Sequence, residues 1–140
     1  MKYLLDTCAI SELVKVQPNK SVVQWIEGCD EDSIYISVLT LGEIQKGISK
    51  LSDERRRVKI QQWLDTDLRN RFENRILEIT EDVALTWGDI EGRAESRGMP
   101  VPVIDGLIGA TAVAHNLTVI TRNVADIEIT GARVLNVWNI

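Results

Sequence analysis

The chain begins with a short, largely apolar run, Lys2-Tyr3-Leu4-Leu5, that stops at Asp6. Helical spacing starts straight afterwards, with Ile10, Leu13 and Val14 three and four residues apart. A buried strand that gives way to a helix at a carboxylate belongs in an open α/β sheet. In such sheets that junction lies at the carboxyl edge, where ligands usually bind. The alternation then repeats. Ser33–Ser37, Ile76–Ile79, Leu117–Thr121 and Arg133–Trp138 read as four further strands. Between them, helical patterns run from Val22 to Gly28 and from Leu41 to Ile48. A long charged stretch runs from Ser52 to about Arg75, with a break expected around Thr66 to Phe72. Thr80 caps another helix that Gly98 ends, and Asp105 opens one rich in small residues. The fold class is therefore α/β, with a mainly parallel central sheet of about five strands flanked by helices. Gly106, Gly109 and the alanines after them predict close approach of that last helix to the sheet.

A chain of 140 residues is long enough for one substantial core, so 1–140 reads as a single domain. No apolar run approaches the length of a membrane span, and the N-terminus has no signal-peptide pattern. Cys8 and Cys29 lack metal-type spacing and read as thiols of a reducing cytoplasm. The formal charge of −5 weighs against a protein that holds nucleic acid mainly by bulk electrostatics. It leaves room for a nuclease, because acids at a metal site count against the total. Positive charge crowds into the middle third, with Arg55, Arg56 and Arg57 at its centre. A solvated helical face and a phosphate-binding patch both explain that run.

Three acids stand near strand ends: Asp6 after the first strand, Glu43 in the helix after the second, and Asp105 just before the fourth. Asn123 and Asp126 follow the fourth strand. If these strands are neighbours, the acids converge and repel, which a cation would relieve. Hard oxygen donors suit Mg²⁺ or Mn²⁺, which can polarise a phosphoryl oxygen and activate water. Each acid also has a local explanation. Asp6 could satisfy amides at a helix start, Glu43 stands at capping-box spacing from Thr40, and Asp105 could be an N-cap. Spacing leaves both readings open. His115 is the one histidine and reads as a helix-end residue.

Ordered motifs add a separate line. They are Leu5-Asp6-Thr7 with Ile10-Ser11-Glu12, then Ser37-Val38-Leu39-Thr40-Leu41-Gly42-Glu43 with Gly47, then Asp105-Gly106-Leu107-Ile108-Gly109-Ala110-Thr111-Ala112. Leu117-Thr118-Val119-Ile120-Thr121-Arg122-Asn123 and Asn136-Val137-Trp138 complete the set. Together they resemble the PIN-domain ribonucleases, and most closely the VapC-type toxins of bacterial toxin–antitoxin pairs. The resemblance implies a PIN fold and a Mg²⁺- or Mn²⁺-dependent endoribonuclease that hydrolyses RNA phosphodiesters and is inhibited by a cognate antitoxin. It also implies a homodimer. By motif, Asp6, Glu43 and Asp105 match the family's acidic positions and are expected to hold metal, and Asn123 falls where the family has a fourth acid or an Asn. Thr7 and Thr121 are expected to orient the site, with Asp126 in support. Cys8 departs from the Asn that is common there. Two alternatives stand beside this reading: a receiver-type phosphoacceptor domain, and a PIN-like scaffold that binds RNA or a partner without cutting it.

Overall fold

The computed structural model describes residues 1–139; Ile140, the last residue of the expected unit, lies outside them. Five parallel strands form one sheet in the order β3-β2-β1-β4-β5: β1 Tyr3–Leu5, β2 Ile34–Ser37, β3 Ile76–Leu77, β4 Thr118–Ile120 and β5 Arg133–Leu135. Each strand is shorter than its apolar run suggests. The runs continue past the ladder into caps and loops, so residues such as Thr121 lie just beyond the sheet rather than in it.

This order bears on function. From β1 the chain builds outward through β2 and β3, then returns to the other side of β1 for β4 and β5. The topological switch therefore falls between β1 and β4, the place where open α/β sheets bind ligands. A receiver-type fold has the order 2-1-3-4-5. The phosphoacceptor alternative is overturned by this difference in strand order.

Alternation along the strands divides the core into two layers. Leu5 and Ile120 face one cluster, with Ile10, Ile26, Ile36, Phe72 and Trp138. Leu4 and Val119 face the other, with Ile108, Ala112 and Ile127. Leu4 and Leu5 are both fully buried, and burial of each side chain contributes about 2–3 kcal/mol. The first layer is covered by α1 (Thr7–Glu12), α2 (Lys20–Glu27), α3 (Val38–Ser49) and α4 (Glu54–Gln62). The second is covered by α7 (Val103–His115) and α8 (Val124–Glu128), with α6 (Glu81–Ser96) packed on α7.

The expected break between Thr66 and Phe72 is absent. The helix continues from α4 through a π-helical stretch, Trp63–Leu68, into the short α5 (Arg69–Arg71). A wider turn accommodates the sequence there instead of an interruption, keeping Leu64 and Leu68 both buried. The glycines of α7 also serve a purpose other than the expected one. A Cβ on Gly109 would lie 2.2 Å from Thr130 Oγ1, and one on Gly106 would lie 3.0 Å from Glu91 Oε1. They permit contact with the loop before β5 and with α6, while Ile108 and Ala112 face the sheet. Among the described residues no helix is long and apolar enough to cross a membrane.

Candidate active site

Asp6 follows β1 directly, and its backbone N–H donates to the Ile120 carbonyl at 3.0 Å. That bond fixes it beside the end of β4. Asp6 is the N-cap of α1: its Oδ1 accepts from the Thr7 amide at 2.7 Å. The other oxygen, Oδ2, accepts from Thr121 Oγ1 at 2.8 Å in a buried bond. One carboxylate thus serves both readings, with one oxygen closing a helix end and the other turned to the switch point.

With its amide capped by Asp6, Thr7 has its hydroxyl free for a long-range contact. Thr7 Oγ1 donates to Glu43 Oε1 at 2.6 Å and stands 3.2 Å from Thr40 Oγ1. Glu43 is not in a capping box. Ser37 is the N-cap of α3, its Oγ accepting from the Leu39 amide at 3.0 Å, so Glu43 lies well inside the helix and faces α1. Asp105 is not an N-cap either. Pro102 takes that place without a side-chain bond, and Asp105 is the third residue of α7. Among the described residues its carboxylate accepts no hydrogen bond, so the local explanation for it falls.

Burial pushes the Asp105 carboxyl above the usual aspartate range, and the charges of Asp6, Asp126 and Glu43 push it further. Four acids, from the end of β1, the body of α3, the first turn of α7 and α8, therefore share one electrostatic neighbourhood. Asp126, weak in sequence terms, ranks second among the charges that Asp105 feels. Asn123 is the N-cap of α8, exposed and without a side-chain cap bond, while its backbone N–H donates to Thr121 Oγ1 at 3.0 Å. Thr121 thus links Asn123 to Asp6. Cys8 adds a thiol that donates to Asp6 Oδ2 at 3.6 Å. Burial and the Asp6 charge hold that thiol above its ordinary range, so it stays a neutral donor rather than a thiolate ligand.

No three Asp, Glu, His or Cys side chains among the described residues are gathered into a ready metal cage. The donor set nevertheless fits a hard cation. Mg²⁺ is usually held by one or two carboxylates and keeps several waters, rather than filling an all-protein cage. The charge that raises Asp105 is the charge such an ion would neutralise.

The basic middle third is divided by the fold. Arg56 Nη2 donates to the Val14 carbonyl at 3.1 Å and Arg57 Nη1 to the Leu51 carbonyl at 3.0 Å, while Arg55 is exposed. Arg71 and Arg75 are bound to Glu31. A groove of about 710 Å³ lies between the end of α1 and α4, lined by Lys15, Arg56, Lys59 and Trp63 among others. Sequence alone does not single out Glu12 as a structural partner. Glu12 is 2% exposed and accepts from Lys15 Nζ, the Asn19 amide and Trp138 Nε1 at 2.7, 2.9 and 3.2 Å. The only hint in the sequence is that Glu12 and Trp138 each belong to one of the ordered motifs.

An open α/β sheet with acids gathered at its switch point defines a class of α/β domains with an acidic ligand-binding edge, and comparison gives the family. The PIN domain profile matches residues 3–127, and the chain belongs to the PIN-domain family. It is 32% identical over 135 residues to the VapC ribonuclease Y4jK of Sinorhizobium fredii, covering 96% of each chain. It is 33% identical to toxin FitB of Neisseria gonorrhoeae, covering 97% of this chain and 98% of that one. The crystal structure of FitAcB from the same organism superposes with a TM-score of 0.93 at 33% identity, over 99% of both chains.

Proposed function

We propose that this protein is an endoribonuclease of the VapC type, dependent on Mg²⁺ or Mn²⁺, that acts as the toxin of a toxin–antitoxin pair. The observation that carries the reading is the gathering of acids at the β1/β4 switch, where Thr7 bonds both Asp6 and Glu43, Thr121 holds Asp6, and the charges of Asp6, Asp126 and Glu43 push the Asp105 carboxyl up. A scaffold that only bound RNA would gain nothing from four acids facing a polyanion. The names of the relatives, a VapC ribonuclease and a toxin, support the activity and the toxin role.

Asp6, Glu43 and Asp105 are the residues proposed to hold the ion, which when bound supplies Lewis acidity toward a phosphoryl oxygen and an acidified water. Thr121 and the Thr7 amide fix both Asp6 oxygens, leaving their remaining lone pairs for a ligand. The Thr7 hydroxyl turns one Glu43 oxygen, so the other is available to orient a water. Asn123 offers an amide oxygen at the mouth of the site without adding charge. Arg56, with Lys15 and Lys59, lines the groove proposed for the RNA backbone, and Arg55 and Arg57 flank it.

The proposed partners are RNA, a cognate antitoxin and a second copy of the chain. Met99, Val103 and Ile104 are 49%, 57% and 36% exposed just before Asp105, an apolar surface that a homodimer would cover. The whole chain is proposed to act as one domain. The test is cleavage of RNA by the purified protein with Mg²⁺ or Mn²⁺, beside Asp6→Asn. Wild-type cleavage that chelation stops and Asp6→Asn abolishes is expected. Equal cleavage by both proteins, or none by either across metals, would refute the reading.

A further inference from the structure

The molecule has arginines in several states of engagement. Arg71 and Arg75 are bound to Glu31, Arg93 to Asp89, and Arg133 to Asn116. Arg122 is unlike these. It immediately follows Thr121, the residue that holds Asp6, and immediately precedes Asn123. It is exposed, and among the described residues its guanidinium forms no ion pair with any acid, although its backbone lies between two residues tied to Asp6. Its carbon Cζ instead sits 5.3 Å from the centroid of the Trp138 ring.

The ring is itself held in place. Trp138 is 7% exposed, its backbone N–H donates to Asn136 Oδ1 at 2.8 Å, and its indole N–H donates to the buried Glu12. Glu12 has no part in the chemistry proposed above, yet it accepts three hydrogen bonds in the core. Glu12, Trp138 and Arg122 thus form a chain running from the far end of α1 to the carboxyl edge of the sheet. The guanidinium lies within cation–π range of the indole, and among the described residues its N–H groups make no hydrogen bond or ion pair, so they are free. Those N–H groups match two oxygens of a phosphodiester. A cation whose backbone is tied to the acid cluster, and whose side chain pairs with none of those acids, suits a phosphate that must approach that group against its negative charge.

We infer that Arg122, held over the Trp138 indole at the end of β4, binds an RNA phosphate beside the acid cluster, with Trp138 and Glu12 as positioning residues. This rests on the ribonuclease reading, and binding can be measured apart from cleavage. The experiment uses the full chain with Asp6→Asn, so that RNA stays intact, and a fluorescent single-stranded oligoribonucleotide titrated at several salt concentrations. Adding Arg122→Gln should weaken binding roughly 10- to 100-fold. It should lower the slope of log affinity against log salt by about 0.7, the value for one phosphate contact on a single strand. Arg122→Lys should restore the slope and only part of the affinity, because it keeps the charge and loses the fork. In the active protein Arg122→Gln should act mainly on KM.

A lowered melting temperature with unchanged salt slope and KM would overturn the inference, leaving Arg122 as a cover for Trp138. If RNA is bound through Arg122 but never cut, the phosphate site stands and the ribonuclease reading falls. If RNA is cut and the salt slope is the same without Arg122, the reverse holds. Absence of any RNA binding would remove both.

Discussion

Helix α1 has a buried carboxylate at each end, and the two ends are built on opposite principles. At its C-terminus, Glu12 is surrounded by donors from Lys15, the Asn19 amide and Trp138. Burial opposes its ionisation, but those bonds outweigh it and hold the carboxyl below the usual glutamate range. At the N-terminus, Asp6 is oriented by Thr7 and Thr121, yet faces Asp105, which accepts no bond and is pushed up by burial and by its acidic neighbours. A buried acid with its own donors is part of the framework. A set of acids in which Asp105 has no donor of its own stores repulsion, and sites that bind something are where such repulsion is retained.

The sharpest way to test that contrast is to remove an acid from each end. Asp105→Asn should lower RNA cleavage by about 100- to 1,000-fold, the scale for one preorganised electrostatic group. The same change should raise the melting temperature of the metal-free protein, since it removes repulsion. Calorimetry with and without Mg²⁺ checks both parts: wild type should gain stability from the ion and the variant should gain little. Glu12→Ala should do the opposite. It strands the Trp138 indole N–H and the Asn19 amide in the interior and should cost about 3 kcal/mol, measured by urea unfolding. A stabilising Glu12→Ala or a destabilising Asp105→Asn would dissolve the distinction between the two ends.

Smaller effects sharpen it. Thr7→Val keeps shape but removes the hydroxyl that turns Glu43, and should reduce cleavage about tenfold, as loss of a group behind a ligand does. Thr7→Ser should recover most of that activity, which a simple packing loss would not allow. The weakest effect is on pH. Because the folded pKa of Glu12 lies below the ordinary 4.5, its contribution is fully present above that value and is lost as pH falls through the folded one. Glu12→Gln should therefore flatten the acid limb of stability below about pH 4.5 while leaving the slope near neutrality unchanged.

Much of this framework could be read before any coordinates. The apolar run ending at Asp6 marks a strand edge, and the β-branched runs locate all five strands, because burial on both faces leaves that signature in a parallel sheet. Other features depend on tertiary partners. The order of strands, which separates this fold from the receiver type, is written in pairings such as Leu5 with Ile120, more than a hundred residues apart. Capping spacing misplaced the role of Glu43, since Ser37 had already begun α3 and the Thr7 hydroxyl reaches across to it. Asp105 has the residue type of an N-cap, but proline is compatible with a helix start, and Pro102 takes the cap three residues earlier. Glu12 resembles any surface acid until Trp138 arrives from the other end of the chain.

The brevity of the outer strands has a consequence for assembly. β3 has two residues and β5 three, so neither margin offers a long row of unpaired peptide groups. A growing fibril or an added β-strand would find little main-chain template on either side. A protein that neutralises this one is therefore expected to grip side chains on its helical faces and at the carboxyl edge, and the two can separate without either having to unzip a shared sheet.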